Sequence, residues 1–213
     1  MATKPTFTLF FLFSLFVSIL STTIAHHPPN SKHSKSTSNF IRSSCLATQY
    51  PPLCYHCLSR YASKIGRSHR QLALTALAAS LSRARSAARF ASRMKKAKGI
   101  KHTELEVVKD CIDTMSDGVD QLTRSFGELA NSGYTNGEDF MWHMNNVQTW
   151  VSAALTDATT CVDGLSDGYG KSGKVKSAIQ RRVNNVAQLT SNALALVNRF
   201  VARSEFTNNI KHR

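Results

Sequence analysis

Four long stretches of this chain repeat apolar residues every three or four positions, and only short breaks separate them. The first runs from about Ser68 to Lys98, with Leu74, Leu77, Leu81, Ala84, Ala88 and Ala91 in step. The second runs from about Thr103 to Ala130, through Leu105, Val108, Ile112, Met115, Val119, Leu122, Phe126 and Leu129. The third, from about Glu138 to Leu165, uses Met144, Val147, Val151, Ala154, Ala158 and Val162. The fourth, from about Lys174 to Arg203, uses Val175, Ile179, Val183, Val186, Leu189, Ala193, Val197 and Phe200. Each pattern paints one apolar stripe on a helix, and each stripe must be buried against another. No stretch alternates convincingly like a strand. The breaks "KGIKH", "NSGYTNG" and "DGYGKSG" are short, which implies antiparallel neighbours. The pattern therefore predicts an all-α, up-down-up-down four-helix bundle. Thr103 with Glu106 reads as a capping box for the second helix. Gly133, Gly137, Gly168 and Gly173 supply permissive backbone for the turns.

The start of the chain addresses its compartment. A short positive beginning is followed by "FTLFFLFSLFVSIL" from Phe7 to Leu20, then small Thr23 and Ala25 ahead of a cut after Ala25. That is the pattern of a secretory signal peptide over residues 1–25, with an apolar core too short to span a bilayer; the alternative is a signal anchor. Residues 26–39, "HHPPNSKHSKSTS" and Asn39, read as a disordered polar leader, with His26, His27 and His33 as solvated linker. One domain is expected over 40–205, with a basic tail at 206–213. The formal charge is +14, and removing the signal segment takes away only Lys4 among the charged residues. Such a field favours anionic partners. Outside a cell these are acidic polysaccharide, membrane surface or acidic protein, not nucleic acid. No Asn-x-Ser/Thr sequon occurs, so N-glycans are not expected.

A secreted chain folds where cysteines pair. Cys111 on the second helix and Cys161 on the third both lie roughly 35–40 Å from the turn near Tyr134, at ~1.5 Å rise per residue. An antiparallel pair brings them level, which supports a bridge. Its loop restricts the unfolded chain by ~4 kcal/mol in the chain-entropy model. Cys45 and Cys54 flank "LATQYPPL", where Pro51 and Pro52 interrupt helix and let the chain turn back. That shorter loop is worth roughly 2.6 kcal/mol on the same model. Cys57 is then the odd one out. A redox pair with Cys54 lacks a βαβ setting. A zinc site lacks a second ligand pair, since only His56 lies between the two sulfurs. A nucleophile needs a base that sequence does not locate. The reading preferred here is a free thiol, buried or partly buried, on a short helix.

Four segments carry a family resemblance: "FIRSSCLATQYPPLCYHCLS", "VVKDCIDTMSDGVDQLTRS", "VQTWVSAALTDATTCVDGL" and "VAQLTSNALALVNRF". In this order, and with this cysteine placement, the chain resembles the plant invertase/pectin methylesterase inhibitor family, and its pectin methylesterase-inhibitor side more closely. The resemblance implies a four-helix bundle preceded by an N-terminal helical hairpin, paired as Cys45–Cys54 and Cys111–Cys161. It implies a cell-wall protein that binds an enzyme stoichiometrically and blocks its active-site cleft. No cofactor, nucleic-acid or membrane partner is expected. Later bundle helices meet the enzyme in the family. This points here to Thr156, Asp157, Thr160 and Asp163 on the third helix, and to Asp113 and Asp117 on the second. The family more usually has Ser at the position of Cys57, which here could compete with Cys45 for Cys54. A Pro-Lys-Phe tripeptide linked to invertase targeting in some relatives is absent. The alternatives are an invertase inhibitor, and a pectin-binding wall protein without an enzyme target.

The remaining motifs weigh less. "GYGKSGKV", residues 168–175, nearly spells a phosphate-binding loop, but Val175 stands where Ser or Thr would hold magnesium, and a helix precedes it rather than a strand. Arg85, Arg89, Arg93 and Lys96 form a cationic stripe, read as a solvated face, a contact for anionic pectin, or a contact for an acidic patch on a partner enzyme. The carboxylates show no acid/base signature, and His56, His69, His102, His143 and His212 have no ligand-like partner at i+4. No catalysis and no metal are expected. Trp142 and Trp150 are assigned to helix packing rather than to a sugar platform.

Overall fold

The structure, a computed structural model, describes residues 31–132, 138–166 and 173–211. The signal segment, the first part of the leader, Gly133, Gly137, Gly168 and His212 lie outside the described residues. Residues 34–213 form one compact unit. A helical hairpin comes first: α1 (Ser31–Cys45), α2 (Pro51–Leu58), a single 3-10 turn (Ser59–Tyr61) and α3 (Ala62–Ile65). Four long helices follow: α4 (His69–Met94), α5 (His102–Asn131), α6 (Glu138–Ser166) and α7 (Lys174–Lys211). Each packs on two neighbours, α4 on α5 and α7, and α6 on α5 and α7. Cross-helix pairs fix the antiparallel order. Arg70 meets Leu129 while Arg85 meets Thr123. Ser80 meets Thr190 while Phe90 meets Arg182. Gln148 meets Asn198 while Ser166 meets Gln180.

The predicted stripes form the core. Leu77, Met115, Leu122, Met144, Val147, Ile179 and Val183 are sealed from solvent where the four helices meet. At the α4–α7 seam two hydroxyls share that core: Ser80 Oγ and Thr190 Oγ1 are 2.6 Å apart and fully buried. The Thr190 hydroxyl also donates to the Val186 carbonyl at 2.9 Å, so Thr190 does not sit unsatisfied among hydrocarbon.

One helix start is closed locally, and two other helix ends are closed from other helices. Ser68 caps α4 locally, its hydroxyl accepting the Gln71 amide at 3.2 Å. The capping box expected at Thr103 is not formed. α5 begins one residue earlier, after Lys101, and Glu106 pairs with Lys109 at 2.8 Å instead. The carboxylate one turn from that start, Glu104, reaches across the bundle and accepts the Lys176 amide in the first turn of α7 at 3.2 Å. Gly173 makes this possible, because a β-carbon there would collide with the Glu104 carboxylate. At the other end of the bundle, Arg70 Nη2 donates to the last carbonyls of α5, Leu129 at 3.0 Å and Ala130 at 2.8 Å.

The hairpin is shut by Cys45–Cys54, with Cα atoms 5.6 Å apart, and by Ser38 and Tyr55 hydroxyls 2.8 Å apart. Its turn is pinned to α7 by Asn192. That buried amide accepts from the Tyr50 N–H and donates to the Tyr50 C=O, both at 3.0 Å, as a strand partner would. Helix α1 begins inside the stretch assigned to a disordered leader. Thr37 is only 2% exposed and leads into buried Ile41, Ser44 and Cys45. A stripe of small polar residues carries less hydropathy than one of leucines, and this one is read as a leader until its neighbours are known. At the other terminus α7 runs to Lys211, through most of the stretch read as a tail.

The cross-bundle cap predicts a specific loss. Glu104→Ala strips an orphan amide of its acceptor and should cost about 1 kcal/mol. For a domain of this size that lowers Tm by about 2–4 °C. Thermal unfolding followed by far-UV circular dichroism checks it, with Glu106→Ala, whose partner is an exposed lysine, as the near-silent control.

Candidate partner-docking face

Charge is divided sharply over the bundle. Among the described residues every Asp and Glu except Glu205 lies on α5 or α6. Those two helices carry only Lys109 and Arg124 as opposing Lys or Arg, and α6 carries neither type. The face they share is thus acidic to neutral on a strongly basic molecule.

Two close approaches hold it. Cys111 and Cys161 are bridged, with Cα atoms 4.5 Å apart. Less than two turns further along α5, Gly118 lets α6 in, so that a β-carbon there would touch Asp157 Cβ at 3.4 Å and the Ala154 carbonyl at 3.6 Å. The register this sets brings Asp117 beside Asp157. Asp157 is half-buried, and its carboxyl is held above the usual Asp range, first by desolvation and then by the negative charge of Asp117. Asp113 lies one turn back along α5 and is exposed.

On α6 the residues singled out from sequence fall on one flank. At about 100° per residue, Asp157, Thr160, Thr156 and Asp163 fan over roughly 120°. Thr156, Thr160 and Asp163 are exposed. The Thr156 hydroxyl donates to the Ser152 carbonyl at 3.2 Å, and Thr159 donates to the Thr156 carbonyl at 2.9 Å, which fixes these rotamers. The same flank continues toward the start of α6 through exposed Ser152, Thr149 and Asn145 to Trp142.

Trp142 is the main correction to the sequence reading. It is 62% exposed and does not pack into the core, whereas Trp150 is half-buried. Its ring meets His143 edge-on at 5.0 Å. His143 Nδ1 lies 2.7 Å from Glu128 Oε1, and Asn146 Nδ2 reaches the same oxygen at 3.4 Å. Sequence reasoning missed Trp142 because an aromatic beside an apolar stripe is assigned to the core unless its angle on the helix is worked out. That angle, 60° from Asp157 on the Thr160 line, was the available signal.

The cationic stripe divides. Arg85, Arg89 and Arg93 are exposed on α4, with Arg85 donating to the Thr123 hydroxyl at 3.2 Å. Lys96 lies past the helix end, because α4 stops at Met94. Among the described residues there is no cluster of three metal-ligating side chains, and no helix is long and apolar enough to cross a membrane. Cys57 is unpaired and half-buried.

Residues 39–196 match the plant invertase/pectin methylesterase inhibitor family. The chain belongs to that family. It is 49% identical to Pectinesterase inhibitor 9 of Arabidopsis thaliana over 88% of its own length and 93% of the relative's. It is 46% identical to the 21 kDa protein of Daucus carota, over 77% and 84% of the two lengths. In fold it is similar to the crystal structure of a mutant pectin methylesterase inhibitor from Arabidopsis, with TM-score 0.58 and 21% identity, over 72% of this chain and 92% of that one.

The strained carboxylate gives a pH prediction. A carboxyl whose folded-state pKa lies above its unfolded value is penalised when ionised. The penalty is full above the folded pKa and vanishes below the unfolded one. Asp157→Asn should therefore raise Tm at neutral pH, and the gain should disappear as pH falls through the carboxylate range. A variant less stable than the parent at pH 7 would contradict this account of the Asp117–Asp157 pair.

Proposed function

We propose that this chain inhibits a pectin methylesterase in the plant cell wall, forming a one-to-one complex in which the α6 flank and the acidic edge of α5 cover the enzyme's substrate cleft. The observation that carries the reading is the exposed strip from Trp142 to Asp163, on a member of this inhibitor family. The strip is free of Lys and Arg and about 30 Å long at 1.5 Å rise per residue. Its length suits a standard interface of roughly 800 Å² per partner.

Mechanistically the chain acts by occupying space. Thr156, Thr160, Asp157 and Asp163, with Asp113 and Asp117, supply hydrogen-bonding and charged groups, and Trp142 supplies an aromatic anchor of the kind that dominates interfaces. The Cys111–Cys161 bridge and the threonine bonds hold these groups in place beforehand, so little ordering entropy is lost on docking. Relatives named for pectinesterase favour the esterase over invertase as the target. Secretion follows from the signal segment. The exposed arginines Arg85, Arg89 and Arg93, with Lys96, lie on the other side of α5 from the α6 strip and are proposed to touch anionic pectin.

Titrating a plant pectin methylesterase with the mature protein should abolish its activity near one equivalent. Trp142→Ala should weaken inhibition by roughly tenfold or more, the loss expected of an aromatic anchor, with Tm unchanged because the ring is exposed. Inhibition of invertase alone would select the other branch of the family. Retention on polygalacturonate with no effect on either enzyme would replace inhibition by a structural role.

A further inference from the structure

A cleft of about 340 Å³ opens between the end of α2, the 3-10 turn, α4 and α7. It falls in the size range of small-ligand sites, roughly 300–1,000 Å³. Its walls are chemically one-sided. Arg60 and Arg83 bring two guanidiniums, Ser82, Ser86 and Asn185 bring neutral hydrogen-bonding groups, and Tyr61 brings a ring 40% exposed. No carboxylate lines it. Neither guanidinium is ion-paired among the described residues. Two unneutralised forks beside hydroxyls, an amide and an open aromatic face fit a carboxylated sugar. The guanidinium binds carboxylate through paired N–H donors, and the ring covers the apolar face of the pyranose.

A second groove of about 400 Å³ lies on the α5 side of α4, lined by Arg85, Arg89 and Phe126. Ser82 belongs to both grooves. Four arginines thus follow one path across the outside of α4, from the hairpin to α5. A single small anion has no use for such a path, whereas a linear polymer with a carboxylate on each unit fits it.

We propose that the Arg60–Arg83 cleft is a uronate subsite, the first of a track that carries unesterified acidic polysaccharide across α4 while the α6 flank holds a protein. This rests on and extends the pectin contact proposed for Arg85, Arg89 and Arg93, but the subsite itself is built from Arg60 and Arg83 and has its own readout.

Cys57 lines the cleft and is the chain's one unpaired cysteine. Its alkylation by iodoacetamide, a small neutral reagent, reports occupancy of this cleft alone. Unesterified galacturonic acid oligomers should slow alkylation, by about tenfold at ten times their Kd. Fully methyl-esterified oligomers should not, and added salt should restore the rate. Arg60→Gln/Arg83→Gln should abolish protection while Tm, both disulfides and esterase inhibition stay unchanged. Arg85→Gln/Arg89→Gln should weaken protection by long oligomers and leave the monomer's effect alone. Equal protection by the esterified oligomers, by sulfate at the same ionic strength, or by dextran sulfate would overturn the sugar assignment. Protection that survives Arg60→Gln/Arg83→Gln would overturn the site. Loss of inhibition in that variant would place the enzyme on this face and overturn the two-sided arrangement.

Discussion

The register between α5 and α6 is the constraint on which the rest of the molecule depends. It is set covalently by Cys111–Cys161 and sterically by Gly118, which admits Asp157 and the Ala154 carbonyl. A slip of one residue between these helices would rotate each apolar position by about 100° out of the seam. The same slip would move Asp157 away from Asp117. Mild destabilisation from two neighbouring carboxylates is therefore tolerated in a place where the backbone is hardest to displace, and core packing exceeds it. The docking face proposed above would gain from this, because a surface meant to meet a protein in one geometry loses little ordering entropy when it is built on a covalently fixed pair.

With α5 and α6 locked, the division of charge becomes a division of faces. Acidic side chains sit on these two helices, and the basic excess lies on the hairpin, α4 and α7. At physiological ionic strength the Debye length is about 8 Å, shorter than the width of the bundle, so each face acts largely on its own surroundings. One molecule can then present an acidic, hydroxyl-rich strip on one side and a row of guanidiniums on the other without the two cancelling.

The helices were legible because burial speaks through period. Leu122, Met144 and Val183 announce themselves by spacing, and all three are sealed in the core. The long bridge was legible because helix rise converts residue counts into distances. What stayed hidden depends on contacts remote in sequence. Nothing near Glu104 indicates that it closes α7, 72 residues on, nor does anything near Arg70 indicate that it closes α5. The Thr103 capping box failed for the same reason: a local motif offered a local partner, and the bundle supplied a remote one. Trp142 was lost to an assumption about aromatics, and α1 to the weak hydropathy of Thr37 and Ser44. For the strip proposed as the docking face, the family resemblance pointed to Thr156 and Thr160, and only the fold placed exposed Trp142 on the same flank.

Cys57 poses the question of why the hairpin keeps its native pairing with a third thiol one turn from Cys54. Disulfide exchange needs a thiolate and access to a sulfur. Burial pushes the Cys57 thiol above its usual range, and this outweighs the opposing pull of Arg60 and Arg83. The target is also shielded, since Cys45 and Cys54 are both buried. The direction of these effects is the same: few thiolates at neutral or acidic pH, and no open path to the bridge. An anion bound by Arg60 and Arg83 would remove the only influence favouring the thiolate, so filling the cleft would make the pairing more secure. The thiol is thus compatible with the scaffold for a physical reason, and its chemistry remains available only to reagents that enter the cleft.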